Sequence, residues 1–265
     1  MSTFQNKVVW ITGASSGIGE ALAESFAAEG AKLILSSRRI EELQRVKNAL
    51  KLPDSNVLIL PLDLADSSNT AALAKQVIAK FGRIDILINN GGISQRSLTI
   101  DTSLETDRKI MEVNFFGTIA LTKSVLPYMI KQKSGHIVTT SSIVGKFGFY
   151  LRSAYSASKH ALHGFFESLR MEVYNDNIKI LLVCPGKIRT NISINAITGD
   201  GNTHSKMDES TDNGLSSEAC AQQILSGIKN NKEELFIGGS DIRAVWMKRF
   251  FPGLFSKIIR KQKAE

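Results

Sequence analysis

Short apolar runs rich in valine, isoleucine and leucine alternate along the chain with longer stretches whose apolar residues recur at helical spacing. Seven runs predict strands: KVVWIT from residue 7, AKLILSS from 31, NVLILPL from 56, IDILIN from 84, HIVTTS from 136, IKILLV from 178 and ELFIG from 234. Most are apolar almost throughout, the pattern of strands covered on both faces. Helical stretches fall near residues 18–29, 40–51, 68–81, 104–131, 153–175 and 217–230. Seven strands joined by six helical crossovers predict an α/β fold, a doubly wound parallel sheet with helices on both faces. No internal repeat or low-complexity linker interrupts it. The polar stretch TGDGNTHSKMDESTDNGLSS at 198–217 reads as a mobile loop over a site. It is not a calcium loop, because Ser205 stands where glycine is needed and Thr211 where glutamate is.

Length and composition agree with one large soluble domain: 265 residues, 43% hydrophobic and 22% charged, are enough to bury a sizeable core. The net charge of +8 suggests a nucleic-acid partner until its placement is considered. Arg243, Lys248, Arg249, Lys257, Arg260, Lys261 and Lys263 concentrate it at the C-terminal end, so the rest is nearly neutral and no nucleic-acid partner is expected. The chain thus divides into a domain at 1–240 and a basic amphipathic extension at 241–265. In that extension Pro252 and Gly253 split DIRAVWMKRFFPGLFSKIIRKQKAE into two short helices. Its aromatic and basic residues suit either packing over a cleft or peripheral contact with an anionic membrane, with packing favoured. Cys184 and Cys220 have no metal or redox spacing, and no secretory or membrane-spanning pattern is present, so a cytoplasmic setting is expected.

The first strand runs into TGASSGIGEALAESFAAEG, placing Gly13, Gly17 and Gly19 at a strand-to-helix turn. Glycines there let the backbone approach a pyrophosphate, and the helix N-terminus attracts its charge. The spacing GxxxGxG is neither the usual GxGxxG fingerprint nor a P-loop. The second strand ends in Ser37, Arg38 and Arg39, where an NAD site offers a carboxylate to the ribose hydroxyls. An arginine there favours a 2′-phosphate, so NADP(H) is the expected cofactor and Arg38 the residue expected to hold it. The alternative, that the two arginines merely start a solvated helix, suits Arg39 better than Arg38.

Together the ordered motifs resemble the short-chain dehydrogenase/reductase superfamily from about Lys7 to Gly239. They are TGASSGIG, NNGG at Asn89–Gly92, Asn114 in VNFFG, Ser142 in TTSSIVG, Tyr155 and Lys159 in YSASK, and PGKIRT at 185–190. The resemblance implies a single-domain Rossmann-type fold and a cofactor held by Gly13, Ser15, Ser16, Gly17, Ile18, Gly19, Ser37 and Arg38. It also implies contacts from Asp63 and Leu64 to the adenine, and from Asn90, Tyr155, Lys159, Pro185, Gly186, Ile188 and Thr190. Asp63 reads equally well as a turn residue. Gly91 departs from the family's alanine and should slightly loosen the turn there.

Tyr155 and Lys159 lie one helical turn apart, so an ammonium can be held near a phenol. A phenol titrates at roughly 10 when unperturbed, and a nearby lysine favours its ionised form. Tyr155 is expected to donate a hydrogen bond and a proton to a carbonyl oxygen during hydride transfer, with Ser142 giving a second bond. The resemblance implies that Lys159 also holds the nicotinamide ribose and that Asn114 anchors a proton relay. It further implies a homodimer or homotetramer built through the helices near 104–131 and 153–175. His160 and His163 have no ligand-spaced partner in sequence, so no metal is expected and they are read as solvent or subunit contacts. The RR pair, the GKIRTNI segment and the aromatic basic tail look most like family members that reduce lipophilic carbonyls. A 3-oxoacyl thioester reductase and a non-catalytic NADPH-binding redox sensor are the alternatives.

Overall fold

In the computed structural model, residues 3–262 are described; Met1, Ser2 and residues 263–265, including Lys263 of the basic tail, lie outside the described residues. The strands are β1 (Val8–Thr12), β2 (Lys32–Ser36), β3 (Val57–Ile59), β4 (Ile86–Asn89), β5 (Gly135–Thr140), β6 (Ile178–Pro185) and β7 (Glu234–Ile237). They pair in the order β3-β2-β1-β4-β5-β6-β7. Every pairing is parallel, with Trp10 beside both Ile34 and Leu87, for example. This is the expected doubly wound Rossmann-type sheet.

Alternation along each strand divides the core in two. Val9, Ile11, Leu33, Leu35 and Ile88 face one side. There they pack against α1 (Gly17–Ala28), α2 (Ile40–Leu50) and the later helix at Ser217–Lys229 through Leu22, Phe26, Leu43 and Ile224. Val8, Trp10, Ile34, Leu87 and Ile137 face the other side and meet α3 (Thr70–Phe81) through Leu73 and Val77. Trp10 is fully buried, yet its indole N–H is satisfied by Ser36 Oγ at 2.9 Å.

The stretch expected as one helix at 104–131 is broken by its own chemistry. It forms α4 (Leu104–Met111), a π-helical turn at Glu112–Phe116 and α5 (Gly117–Gln132). At the π turn Asn114 accepts the Ile93 N–H (2.8 Å) and donates to the Ile93 carbonyl (2.9 Å), so its amide faces the β4 loop. Gly117 follows because a Cβ there would lie 2.0 Å from the Leu64 carbonyl oxygen. Such single-turn π insertions are frequent at functional sites.

α6 (Ser153–Glu172) completes the second face through Leu162, Phe166 and Leu169. The polar stretch at 198–217 holds a short helix, α7 (Glu209–Asp212), and Ile197 forms isolated bridges with Gln95 and Thr203. After α8 (Ser217–Lys229) and β7, the extension forms α9 (Arg243–Phe250) and α10 (Pro252–Ile259), separated where Pro252 occupies the first turn of α10. No helix among the described residues is long and apolar enough to cross a membrane.

Candidate active site

A cleft of about 1700 Å3 opens at the carboxyl ends of the strands, beside the point where the order reverses between β1 and β4. Thr12 ties the two strands together: its hydroxyl accepts the N–H groups of Asn90 (3.0 Å) and Gly91 (2.9 Å). Gly13 and Gly17 have φ of 65° and 57°, the left-handed region that glycine occupies at least cost. Gly19 does not line the cleft; a Cβ on it would sit 2.2 Å from the Gly13 carbonyl oxygen, so it lets α1 pack against the turn. No side chain caps α1, which leaves its first N–H groups free for an anion. Leu64 Cδ1 fills the space beside Gly91, where an alanine methyl would meet it at 2.7 Å. Thus the departure expected to loosen the turn is compensated by a neighbouring side chain.

Arg38 and Arg39 both border the cleft beyond the glycine turn. Arg39 reaches back, its Nη2 within 3.3 Å of Ser15 Oγ and 3.4 Å of Ser16 Oγ. It therefore belongs to the site together with Arg38, a role its place at the start of α2 did not reveal. Asp63 also lines the cleft, but its carboxylate accepts the Ala65 N–H at 3.0 Å and so shapes the turn after β3. Ser37, Leu64, Asn90, Pro185, Gly186, Ile188 and Thr190 complete this half of the lining. A glycine cradle, an uncapped helix start and a basic far end fit a dinucleotide.

At the other end stand Ser142, Tyr155 and Lys159, all buried. Ser142 begins a 3-10 turn, accepts the Val144 N–H at 3.3 Å and donates to the Pro185 carbonyl at 3.3 Å. Lys159 donates to the Thr140 carbonyl at 2.8 Å, and its Nζ lies 5.7 Å from the centroid of the Tyr155 ring. Burial pushes the lysine down to about 8 and pushes the tyrosine above its ordinary range. The groups that pull the phenol back are Arg152, a hydrogen bond with Ser142, and Arg96. The expected i,i+4 spacing is present, yet the arginines carry the charge effect on the phenol.

Asn114 stands behind this group and outside the lining, donating to Ser158 Oγ at 3.0 Å as well as to Ile93. The first turn of α6 is held from outside: Gln95 Oε1 accepts the N–H groups of Ala154 (3.0 Å) and Tyr155 (3.2 Å). Gln95 is wholly buried and no local sequence signal marks it. The extension closes over the site, since Val245 and Phe255 join Ile143, Val144, Phe147 and Tyr155 in one apolar cluster. Asp241 anchors its start by accepting the N–H groups of Lys187 and Gly239, each at 2.8 Å.

His163 is buried, not at a solvent or subunit contact as expected, because α6 turns it under Ser141, whose Oγ lies 3.0 Å from Nε2. The fold brings Cys184 and Glu234 to it, with one ligand-type atom from each lying within 4.8 Å of the others. Lys146 Nζ already neutralises Glu234 at 2.6 Å, and burial drives the imidazole down to about 3.

The family model for the short chain dehydrogenases matches residues 7–200. The chain is 45% identical over 262 residues to the "Dehydrogenase/reductase SDR family protein 7-like" of Anopheles gambiae, covering 97% of this chain and 83% of that protein. It is 42% identical over 260 residues to the "Dehydrogenase/reductase SDR family member 7B" of Mus musculus, covering 96% and 80%. A short-chain dehydrogenase from Streptomyces avermitilis superposes with a TM-score of 0.82 at 30% identity, over 97% of this chain and 96% of that one. A Burkholderia phymatum protein of the same class, in complex with NAD, superposes at 0.83 with 24% identity over 100% and 98%, a likeness of fold. With matches over nearly its whole length, the chain belongs to the short-chain dehydrogenase/reductase family of oxidoreductases, which bind a nicotinamide cofactor.

Proposed function

We propose that the protein is an NADP(H)-dependent reductase of lipophilic carbonyl compounds. The convergence of Ser142, Tyr155 and Lys159 on one cleft whose far end carries Arg38 and Arg39 supports this reading best. When bound, the dinucleotide supplies or accepts the hydride. The Tyr155 phenol donates to the carbonyl oxygen and gives it the proton, and the Ser142 hydroxyl turns from Pro185 to donate beside it. Lys159, buried and poised near neutrality, places positive charge behind the phenol as its proton leaves. Asn114 and Gln95 hold the backbone on either side of that group.

The apolar wall of Phe147, Phe149, Met247, Phe255 and Ile259 supports a lipophilic substrate. The same catalytic groups would serve a 3-oxoacyl thioester reductase. A redox sensor would have no use for a buried proton donor. NADPH consumption against ketosteroids, retinal, aliphatic and aromatic ketones and a 3-oxoacyl thioester tests the reading. Turnover of a lipophilic ketone that disappears in Tyr155→Phe, with NADPH binding retained, is expected. Undiminished turnover in that variant would remove the assigned role, and an inert panel with tight NADPH binding would favour the sensor.

The outer face of the extension exposes Trp246, Phe250, Phe251 and Leu254 among Lys248, Arg249 and Lys257. Exposed aromatic and basic groups close together suit an anionic lipid surface. Exposed Phe116 at the end of the π turn, with Met171 at the end of α6, supports self-association through the helices of the second face. Light scattering at two protein concentrations checks it, a monomer at both being the contrary result.

A further inference from the structure

Arg96, Arg152 and Asp208 form a cluster whose arginines act on the Tyr155 phenol but which has no assigned ligand. Their side chains are 3%, 19% and 2% exposed. Arg96 donates to both oxygens of Asp208, through Nε at 3.2 Å and through Nη2, and Arg152 Nη2 reaches Oδ2 at 3.1 Å. Two guanidinium groups therefore share one carboxylate, and the cluster keeps a net positive charge in a largely buried place. Burial and Arg96 together hold Arg152 down to about 10, still protonated at neutral pH. Its Nε is buried with no hydrogen-bond partner.

Such a cluster is a poor device for stability. Desolvating a second charge costs more than one shared carboxylate returns. The backbone is also strained: Leu151, just before Arg152, has φ of 60°, a region costly for a leucine. Strain and unbalanced charge at one spot are characteristic of a site, and all three charged residues line the cleft that holds Tyr155. The apolar side chains of Phe147, Phe149 and Phe255 line the same cleft, the Phe149 ring centroid lying 5.3 Å from the Arg152 guanidinium carbon.

We infer that Arg96 and Arg152 form an anion subsite, and that the carbonyl substrate is an amphiphile bearing a carboxylate or phosphate for which Asp208 stands in. This rests on the reductase reading for the position of the carbonyl, but not for the anion. Asp208 comes from the 198–217 stretch, whereas Arg152 begins the helix that carries Tyr155. An acidic group arriving at Arg152 would displace a carboxylate already held by Arg96, and a turn of the guanidinium would bring it the unpartnered Nε. Arg152 also favours the phenolate, so the group that binds the substrate's acid is coupled to the group that serves its carbonyl.

Calorimetric titration of the full-length protein with octyl phosphate, octanoate and octanol, with and without saturating NADPH, tests the subsite without requiring turnover. The two anions should bind about tenfold or more tighter than the alcohol, the worth of one charge-assisted bond. Arg152→Gln should lose that preference. Asp208→Asn, which keeps the shape but removes the internal competitor, should tighten both anions severalfold and leave octanol unchanged. Equal affinities for all three probes, or a preference that survives Arg152→Gln, would overturn the inference. A parallel titration with NADPH itself reports on the reductase reading separately.

Discussion

Lys159 and Tyr155 share one face of α6, with the lysine Nζ 5.7 Å from the tyrosine ring centroid and bound instead to the Thr140 carbonyl at 2.8 Å. Both are buried, and burial holds the lysine at about 8 against an ordinary 10.5. A lysine depressed in the folded state destabilises the fold while it is protonated, by about 3 kcal/mol for this depression. The unfolded chain binds more protons between pH 8 and 10.5, so stability rises with pH across that window. Lys159→Met should therefore stabilise the cofactor-free protein by about 2 kcal/mol at pH 7, the lost hydrogen bond to Thr140 taking back the remainder. Urea unfolding at pH 7 and pH 10 checks this: the advantage should shrink at the higher pH and activity should be lost. A destabilised variant at pH 7 would show that the lysine is better accommodated than its burial implies.

The pH dependence of alcohol oxidation should report Tyr155. Burial raises the phenol and Arg152 is the first group lowering it, so the oxidative rate should climb with pH along a basic limb. Removing the guanidinium destabilises the phenolate, so Arg152→Gln should move that limb to higher pH. Carbonyl reduction uses the protonated phenol and should stay nearly flat through neutrality. A limb in the same place in both proteins would assign it to another group.

Cofactor choice should reside in a pair of arginines. Charge-assisted bonds are worth about 1.5–3 kcal/mol each, so Arg38→Asp should cut the NADPH over NADH preference by about tenfold to a hundredfold. Because Arg39 lies across Ser15 and Ser16, Arg39→Ala should weaken NADPH as well. Competitive binding of the two reduced cofactors measures both, and an unchanged ratio in Arg38→Asp would sink the NADP(H) assignment.

Sedimentation with anionic liposomes tests the outer face of the extension. Phe250 and Phe251 are each more than 60% exposed and stand apart from the cluster that covers Tyr155. Phe250→Glu with Phe251→Glu should abolish sedimentation at moderate salt while leaving thermal stability nearly unchanged, since exposed substitutions seldom shift it. Equal sedimentation of both proteins would remove the membrane reading. Deleting the extension would be a poorer test because Val245, Phe255 and Asp241 are built into the site.

The chain's apolar runs by themselves determined the sheet, because a strand covered on both faces must be apolar almost throughout and each crossover needs a helix of sufficient length. The glycine turn and the Tyr155–Lys159 pair were legible for a related reason: their chemistry is local, set by a tight turn or one helical step, whereas Ser142 was legible only through the resemblance of the ordered motifs. Only the tertiary structure decided what surrounds them. Arg96 and Asp208 are separated by 112 positions, and no periodicity links them. Gln95 caps α6 from the loop after β4, and His163 meets Cys184 and Glu234 through strands paired far apart in sequence. The π turn at Asn114 likewise breaks a stretch whose pattern is helical throughout, because the amide's partners lie in another segment. Burial, not spacing, then sets how these groups titrate, and burial is a property of the folded assembly of elements rather than of any one of them.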